Sequence, residues 1–366
     1  MTELERRAVL AMWSFQGVGA IGLDTLEALV PKRQWLSLPL RELVALAELK
    51  ADVRERVLAC GSLEAQADRF ETRLKQTGQR VCFEGDREYP SRLAGVRGAP
   101  PLLFYKGPGA VARPRAHVAI VGTRHPDKDW EKWTVGFSRT CVEQGLVVAS
   151  GGAEGIDTAA HLGALRGKGV TWAFVASGLE AIDAAPRAIV GPVLAAGGTV
   201  FSEYPPDVRA KEGLFVQRNR LISGSADAVV LVRGNEKSGA RHTAEAARRQ
   251  QRALLAVPGN PRETGAELCR DFLRTGALPC FDVSDVLTAV GLVEMVAVPE
   301  ELEERGPVSD DSRAVFEALP RGIFDMELAV AAVPQKSSGA VAAALMELEL
   351  ASWLVTRSGR RYEKRE

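Results

Sequence analysis

The sequence has no apolar run approaching the ~20 residues that cross a bilayer, and its first residues, Met1-Thr2-Glu3-Leu4-Glu5-Arg6-Arg7, lack the apolar stretch of a secretory signal. Neither a membrane protein nor a secreted one is expected; the reading is of a cytoplasmic protein. Cysteine is scarce: Cys60, Cys82, Cys141, Cys269 and Cys280 are scattered without a C-x-x-C pair, which argues against a disulfide framework or a zinc site. The four histidines, His117, His125, His161 and His242, share no short spacing, so no metal is expected, and no other cofactor. His161 reads as a packed or hydrogen-bonded residue. Net charge is missing too: 47 Lys and Arg balance 47 Asp and Glu, which excludes a histone-like polycation. Any nucleic-acid surface must then be a local cluster of cations.

What is present is ordinary globular material. A composition 46% hydrophobic and 26% charged can fill a sizeable core. The 366 residues suit two or three domains of roughly 100–200 residues each. Apolar residues at helical spacing in 23–30 and 40–46 predict an N-terminal helical domain over residues 1–80. Within it, Phe15-Gln16-Gly17-Val18-Gly19 is similar to the Gly-x-Gly turn of a helix-hairpin-helix, although so short a motif favours a plain turn. A connector with one short strand at 102–105 follows, punctuated by proline and glycine.

From about residue 115 to 277 the rhythm changes. Apolar, β-branched runs at 117–121, 146–149, 170–176, 199–202, 228–232 and 253–257 alternate with helix-length segments, which predicts a parallel sheet in an α/β domain over 81–295. An acidic, proline-containing stretch at 298–307 reads as a linker. Helices at 312–319, 325–333 and 338–350, with a hairpin turning at Ser358-Gly359, predict a winged helix over 308–366. The basic wing residues Arg357, Arg360, Arg361, Lys364 and Arg365 suit duplex DNA, a partner or a solvated tail.

In open α/β sheets ligands sit beyond the carboxyl ends of the strands, so the residue types there carry the chemistry. Gly122-Thr123-Arg124 ends the first strand with a tight exit, two kinds of donor and a guanidinium that forks onto phosphate. The second strand runs into Ser150-Gly151-Gly152-Ala153-Glu154-Gly155-Ile156-Asp157, where glycines let backbone approach an anion at a helix start. Phe215-Val216-Gln217-Arg218-Asn219-Arg220 carries two arginines at i, i+2, which point apart on a helix. Lys237-Ser238-Gly239-Ala240-Arg241-His242-Thr243 and Pro258-Gly259-Asn260 again put small, donor-rich residues before helix starts. Each loop alone is explained by tight βα turns; their joint occurrence points to phosphate groups. A dinucleotide enzyme is disfavoured, because G-x-G-x-x-G and the ribose-binding acid are both missing. Trp130, Trp133, Tyr204 and Phe215 are candidates for base stacking, Phe215 foremost.

The ordered set of these loops, with His161, Ser202-Glu203-Tyr204-Pro205 and Pro258-Gly259, resembles the DprA/Smf DNA-processing family over nearly the whole chain. The resemblance implies an extended Rossmann-like core between an N-terminal helical domain and a C-terminal winged helix. It also implies a homodimeric, non-enzymatic protein of natural transformation that binds single-stranded DNA and loads the RecA recombinase. Arg124, Arg218 and Arg220 would then contact DNA or organise its pocket, with Gly151, Gly152, Ser238 and Gly239 shaping it. Gly122, Thr123, Ser150, Phe215, Lys237 and Arg241 complete the expected phosphate-binding set, while Asp157 and Asn219 look structural. Departures from the family pattern are Glu154 in place of an arginine, Arg233 in place of a glutamate, and Glu267 in place of an asparagine. Residues 125–130 also lack the usual serine and tyrosine-glycine. The opposite signs at 154 and 233 predict a reversed ion pair.

Two other readings stand beside this one. A nucleotide-processing enzyme similar to the phosphoribohydrolases would use Glu203 as its carboxylate, but its Pro-Gly-Gly-x-Gly-Thr motif is broken at 258–264. A regulator would sense a nucleotide in the central domain and bind duplex DNA or protein through the winged helix.

Overall fold

The computed structural model describes residues 1–47, 49–111, 114–260, 262–292, 306–351, 353–357 and 361–364, and the chain forms two compact units, Met1–Val293 and Glu294–Glu366. Most of the stretch read as a linker lies outside the described residues, as do Ser358, Gly359, Arg360 and Arg365 of the C-terminal hairpin.

The first unit opens with five helices, α1 Glu3–Trp13, α2 Ala20–Leu29, α3 Leu40–Leu46, α4 Ala51–Leu58 and α5 Leu63–Gln76. A reciprocal cap starts α1: the Thr2 hydroxyl accepts from the Glu5 amide while the Glu5 carboxylate accepts from the Thr2 amide. In α5 the buried residues Leu63, Ala67, Phe70 and Leu74 recur every three to four positions, one apolar face of a helix. That face meets the sheet, where Phe70 packs edge-on to Phe104 at 5.7 Å between ring centroids. A single apolar cluster runs from Trp13 and Phe70 to Phe104, Val175 and Val200, so these helices and the edge of the sheet share one core.

The sheet begins with β1 Arg80–Phe83 and β2 Leu102–Lys106, an antiparallel pair whose second strand also runs antiparallel to β6 Thr199–Ser202. Between them in the chain come β3 Ala116–Val121, α6 Lys128–Glu143, β4 Leu146–Ser150, α7 Ile156–Arg166, β5 Thr171–Phe174 and α8 Ala184–Ala195. After β6 follow α9 Glu212–Gly224, β7 Ala228–Leu231, α10 Ala240–Arg249, β8 Ala253–Ala256, α11 Glu267–Arg274, β9 Leu278–Pro279 and α12 Val283–Ala289. The order across the sheet is β1-β2-β6-β5-β4-β3-β7-β8-β9, and from β6 to β9 every pairing is parallel. The chain thus winds outward from β3 to β6 on one side, returns to the middle, and winds outward from β7 to β9 on the other. Strands β4 to β7 are buried throughout, as continuous apolar runs covered by helices on both faces should be. All six predicted runs are strands; β1 and the two-residue β9 escaped the sequence reading.

The second unit contains α13 Asp310–Ala318, β10 Ile323–Asp325, α14 Met326–Ala332, α15 Ser338–Leu350, β11 Leu354–Arg357 and β12 Arg361–Lys364. Its small antiparallel sheet has the order β10-β12-β11, around a core of Val315, Phe324, Val341, Leu345 and Leu348. The segment read as one helix from 325 is led in by β10, which pairs with β12 and was not foreseen.

His161 in α7 locks that helix to the strands beneath the functional edge. The Thr171 hydroxyl donates to the Val148 carbonyl at 2.8 Å, so at 2.7 Å it accepts from His161 Nδ1, which assigns the neutral tautomer. Burial holds the imidazole pKa down, from 6.5 to about 4. The stability that this neutral form contributes is whole above pH 6.5 and is lost as pH falls toward 4. His161→Gln should therefore gain on the wild type over that interval, by roughly 3 kcal/mol at the acid end at 1.36 kcal/mol per pH unit. Urea melts across the interval check this; parallel pH profiles for the two proteins contradict it.

Candidate nucleic-acid interface

Between β3 and β7 the winding reverses, and the loops leaving these two neighbours diverge from the carboxyl edge of the sheet. A groove of about 730 Å³ opens there. Its walls are the loop after β3, the loop after β7, and the first turns of α9 and α10. Two helix N-termini facing one cleft favour an anion, since their first amides lack partners within the helix.

The loop after β3 brings Gly122, Thr123 and Arg124 to the groove, as the sequence predicts. Gly122 has no room for a side chain, because a Cβ would lie 2.7 Å from Ile156. The Thr123 hydroxyl accepts from the His125 amide at 3.2 Å. The exposed Arg124 guanidinium lies 5.4 Å from the centre of the Phe215 ring, with no carboxylate paired to it among the described residues. Phe215 stands in the first turns of α9, so aromatic face and cation form one wall.

The glycine-rich loop after β4 behaves differently from expectation. Ser150 is fully buried and its hydroxyl donates to the Ile120 carbonyl at 2.6 Å, tying β4 to β3 rather than facing the groove. The amides of Gly152 and Ala153 both point at Asp157 Oδ2, each at 3.4 Å, so the loop's own carboxylate occupies donors expected to meet a phosphate. A Cβ on Gly151 would sit 2.3 Å from that carboxylate and 2.9 Å from an Arg218 nitrogen, so glycine lets Asp157 and Arg218 close over the loop. Gly152 borders a side recess of about 240 Å³ next to the groove, together with Arg124, Phe215 and Glu154.

Arg218 is 4% exposed and forms part of the groove floor. Its Nη1 donates to the Phe174 carbonyl and its Nε to Asn219 Oδ1. Burial raises the Asp157 carboxyl to about 6, with Arg218 the main opposing influence, and burial lowers the guanidinium in turn. Arg220, two residues on, points away from the groove to Glu203, at 2.5 Å. Glu203 is buried, its carbonyl accepts from Trp13 Nε1 at 2.7 Å, and it does not line the groove. The two arginines thus divide as a helical i, i+2 pair must.

After β7, Asn235 organises the turn by accepting from the Lys237 amide through its side chain and from the Ser238 amide through its carbonyl, both at 3.0 Å. Lys237, Ser238 and Gly239 line the groove, and Gly239 caps α10. Arg241 does not line it: the guanidinium pairs with Asp271 at 3.2 Å and lies over Phe272. The groove also takes His125 and His242, which belong to loops the sequence singled out, and Lys211 and Asn235, which it did not. Lys211 immediately precedes α9, and a cation just ahead of a helix in an ordered set of phosphate-type loops was the signal available. Arg124, Lys211, Arg218 and Lys237 make four cations against Asp157 and Glu212, so the local charge is positive in a chain of zero net charge.

The expected pair between Glu154 and Arg233 does not form. Arg233 is buried, with all five donors engaged by Val232, Val257, Pro258 and Glu263. Its guanidinium lies 3.3 Å from the centre of the Trp130 ring, and Trp130 Nε1 donates to Glu263 at 2.8 Å. A carboxylate 30 residues downstream and an aromatic face therefore compensate the charge at 233. Glu154 stays exposed at the rim of the side recess. Glu267 accepts from the Gly265 amide at 2.8 Å and serves the turn before α11.

A Rossmann-like sheet with a cationic groove at its switch point defines an α/β protein whose loops suit an anionic ligand. Residues 80–291 match the model of the DNA recombination-mediator protein A family, and the chain belongs to that family. The DprA protein of Mycobacterium tuberculosis is 33% identical over 320 residues, spanning 81% of this chain and 82% of the relative. Protein Smf of Escherichia coli is 31% identical over 292 residues, 78% of each. Among solved structures, DNA processing protein A of Streptococcus pneumoniae superposes with a TM-score of 0.63 at 25% identity, covering 78% of this chain and 98% of that one. The Helicobacter pylori protein, described for its single-stranded-DNA binding mode, gives 0.51 at 26% identity over 58% of this chain and 95% of its own.

Gly155 carries the junction between the first two loops. At φ +80° and ψ −126° it starts α7 in a conformation open to glycine, and a Cβ would lie 2.5 Å from the Thr123 carbonyl oxygen. Gly155→Ala should lower unfolding free energy by about 1–3 kcal/mol. A variant melting with the wild type in urea contradicts this account of the loop.

Proposed function

We propose that this protein binds single-stranded DNA along the switch-point groove, by charge and stacking and with little reading of sequence. The observation that carries the proposal is the groove itself: exposed cations at Arg124, Lys211 and Lys237, two helix N-termini, and the Phe215 ring within reach of Arg124. Phosphates meet the cations and helix ends, and unpaired bases stack on an aromatic face that accepts any base. An extended strand suits a groove open along its length better than a single mononucleotide does.

We further propose that it acts as a binding protein and not as an enzyme, keeps strands available for a recombinase of the RecA kind, and works as a homodimer. The nucleotide-hydrolase alternative rests on Glu203, which is committed to Arg220 outside the groove, while Asp157 within it is engaged by the Gly152 and Ala153 amides. Pairing of two copies is supported by the edge beside β9, where Leu278 and Phe281 are 47% and 66% exposed.

Each cation that neutralises a phosphate adds to the salt dependence. Arg124→Ala and Lys237→Ala should each flatten the slope of log K against log salt by about 0.7 on a single strand. Arg220→Ala should leave that slope alone and lower thermal stability, because it strands Glu203. Glu154→Gln should tighten binding by removing a negative charge beside the strand. Fluorescence anisotropy over a salt series reads all four; slopes unchanged in both Arg124→Ala and Lys237→Ala defeat the proposal.

A further inference from the structure

The groove does not end at Lys211. This residue also lines a second recess of about 390 Å³, formed by Pro205, Asp207, Val208 and Arg209 on one side and on the other by Ser14, Phe15 and Gln16, which follow α1, and Arg56 of α4. We propose that this recess is a second backbone-binding site, and that a single strand leaving the groove passes Lys211 and lays its next phosphates against Arg209 and Arg56. The inference rests on the reading of the groove as a single-stranded-DNA site.

Charge supports it. The recess carries Arg56, Arg209 and Lys211 against one carboxylate, Asp207, which is paired with Arg73 at 3.3 Å. Arg209 is exposed, with no hydrogen bond or ion pair among the described residues, so its five donors are available to a phosphate. Arg56 is tethered at the mouth: Nη2 donates to the Gln16 carbonyl at 2.7 Å and to Asp52 Oδ2 at 3.1 Å, and Nε to the Asp52 carbonyl at 3.2 Å, which leaves Nη1 with no hydrogen bond among the described residues.

The walls are firm enough to hold a ligand. The Gly178 amide donates to the Val208 carbonyl at 2.8 Å, the Glu180 amide to Pro206 at 2.9 Å, and Arg73 ties Glu180 to Asp207. A Cβ on Gly178 would fall 2.0 Å from the Pro205 carbonyl oxygen, so residues 205–206 lie directly on the segment that follows β5. Opposite them, Phe15 belongs to the core that the N-terminal helices share with the sheet. The ligand class follows from the lining: three cations with amide and hydroxyl groups, on a surface more polar than apolar, suit a sugar-phosphate backbone better than an apolar peptide. The shared Lys211 makes the continuation of the same strand the simplest occupant.

Strand length separates the two sites. The full chain is titrated with oligothymidylates of about four and about 20 nucleotides, bracketing the span of single-strand sites, over a salt series. Arg209→Ala should flatten the log–log salt slope by about 0.7 for the long strand and leave the short one as in the wild type; Arg209→Glu should weaken the long strand further. Arg124→Ala should weaken both lengths. Equal losses on both lengths for Arg209→Glu, or none on either, overturn the second site while the groove reading stands. A wild type that binds neither length overturns both. Residue 209 is exposed and unpaired, so unchanged thermal melting of both variants is the expected control.

Discussion

Two neighbouring parallel strands whose chains wind away in opposite directions cannot both cover their shared carboxyl edge with a connection. At β3 and β7 the loops part, and the space between them is a groove that the backbone topology creates before any side chain is chosen. What the sequence adds is small residues where loops must nearly touch and cations where they open. Gly122, Gly151 and Gly155 stand at contacts that a Cβ would block, against Ile156, Asp157 and Thr123 respectively. Without those contacts the Thr123 and Arg124 loop has no fixed seat.

Burial divides the arginines. Arg124 is exposed, shares a wall with an aromatic ring and keeps its donors for solvent or ligand. Arg220, Arg233 and Arg241 each have a carboxylate partner, Glu203, Glu263 and Asp271, and their removal would leave that partner unmatched. Arg218 stands between these cases, held by the Phe174 carbonyl yet forming part of the groove floor. A guanidinium in a phosphate-type motif is thus free to meet a ligand only where the fold leaves it unpaired. These pairs add no net charge, so in a chain of zero net charge the positive excess of the cleft is matched by carboxylates elsewhere in the chain.

Much of this was legible in the sequence. Six of the seven strands in the parallel part of the sheet are apolar runs long enough to announce themselves, and the loops after β3 and β7 carry Arg124, Lys237 and Ser238 to the groove as read. What could not be read depended on contacts between residues far apart in the chain. Ser150 looks like a donor at a strand end, but whether its hydroxyl meets a ligand or the Ile120 carbonyl is decided by the neighbouring strand. The charge at Arg233 suggested Glu154 as partner because both depart from the same pattern, whereas the actual partner, Glu263, is fixed by the fold around Trp130. The strands β1 and β9 are short and lie at sheet edges, where pairing rather than composition makes a strand. Lys211 and Asn235 sit in irregular segments with no periodicity to mark them.

The proposed function depends on whether the groove prefers a single strand, a duplex or a mononucleotide. The most direct measurement is a salt-titrated comparison of the wild-type protein with a single-stranded oligonucleotide, a duplex of the same length and a nucleoside monophosphate. Preferential binding of the single strand, weakening steeply as salt rises, is the predicted result. A preference for the duplex, or saturable binding of the mononucleotide alone, would contradict it.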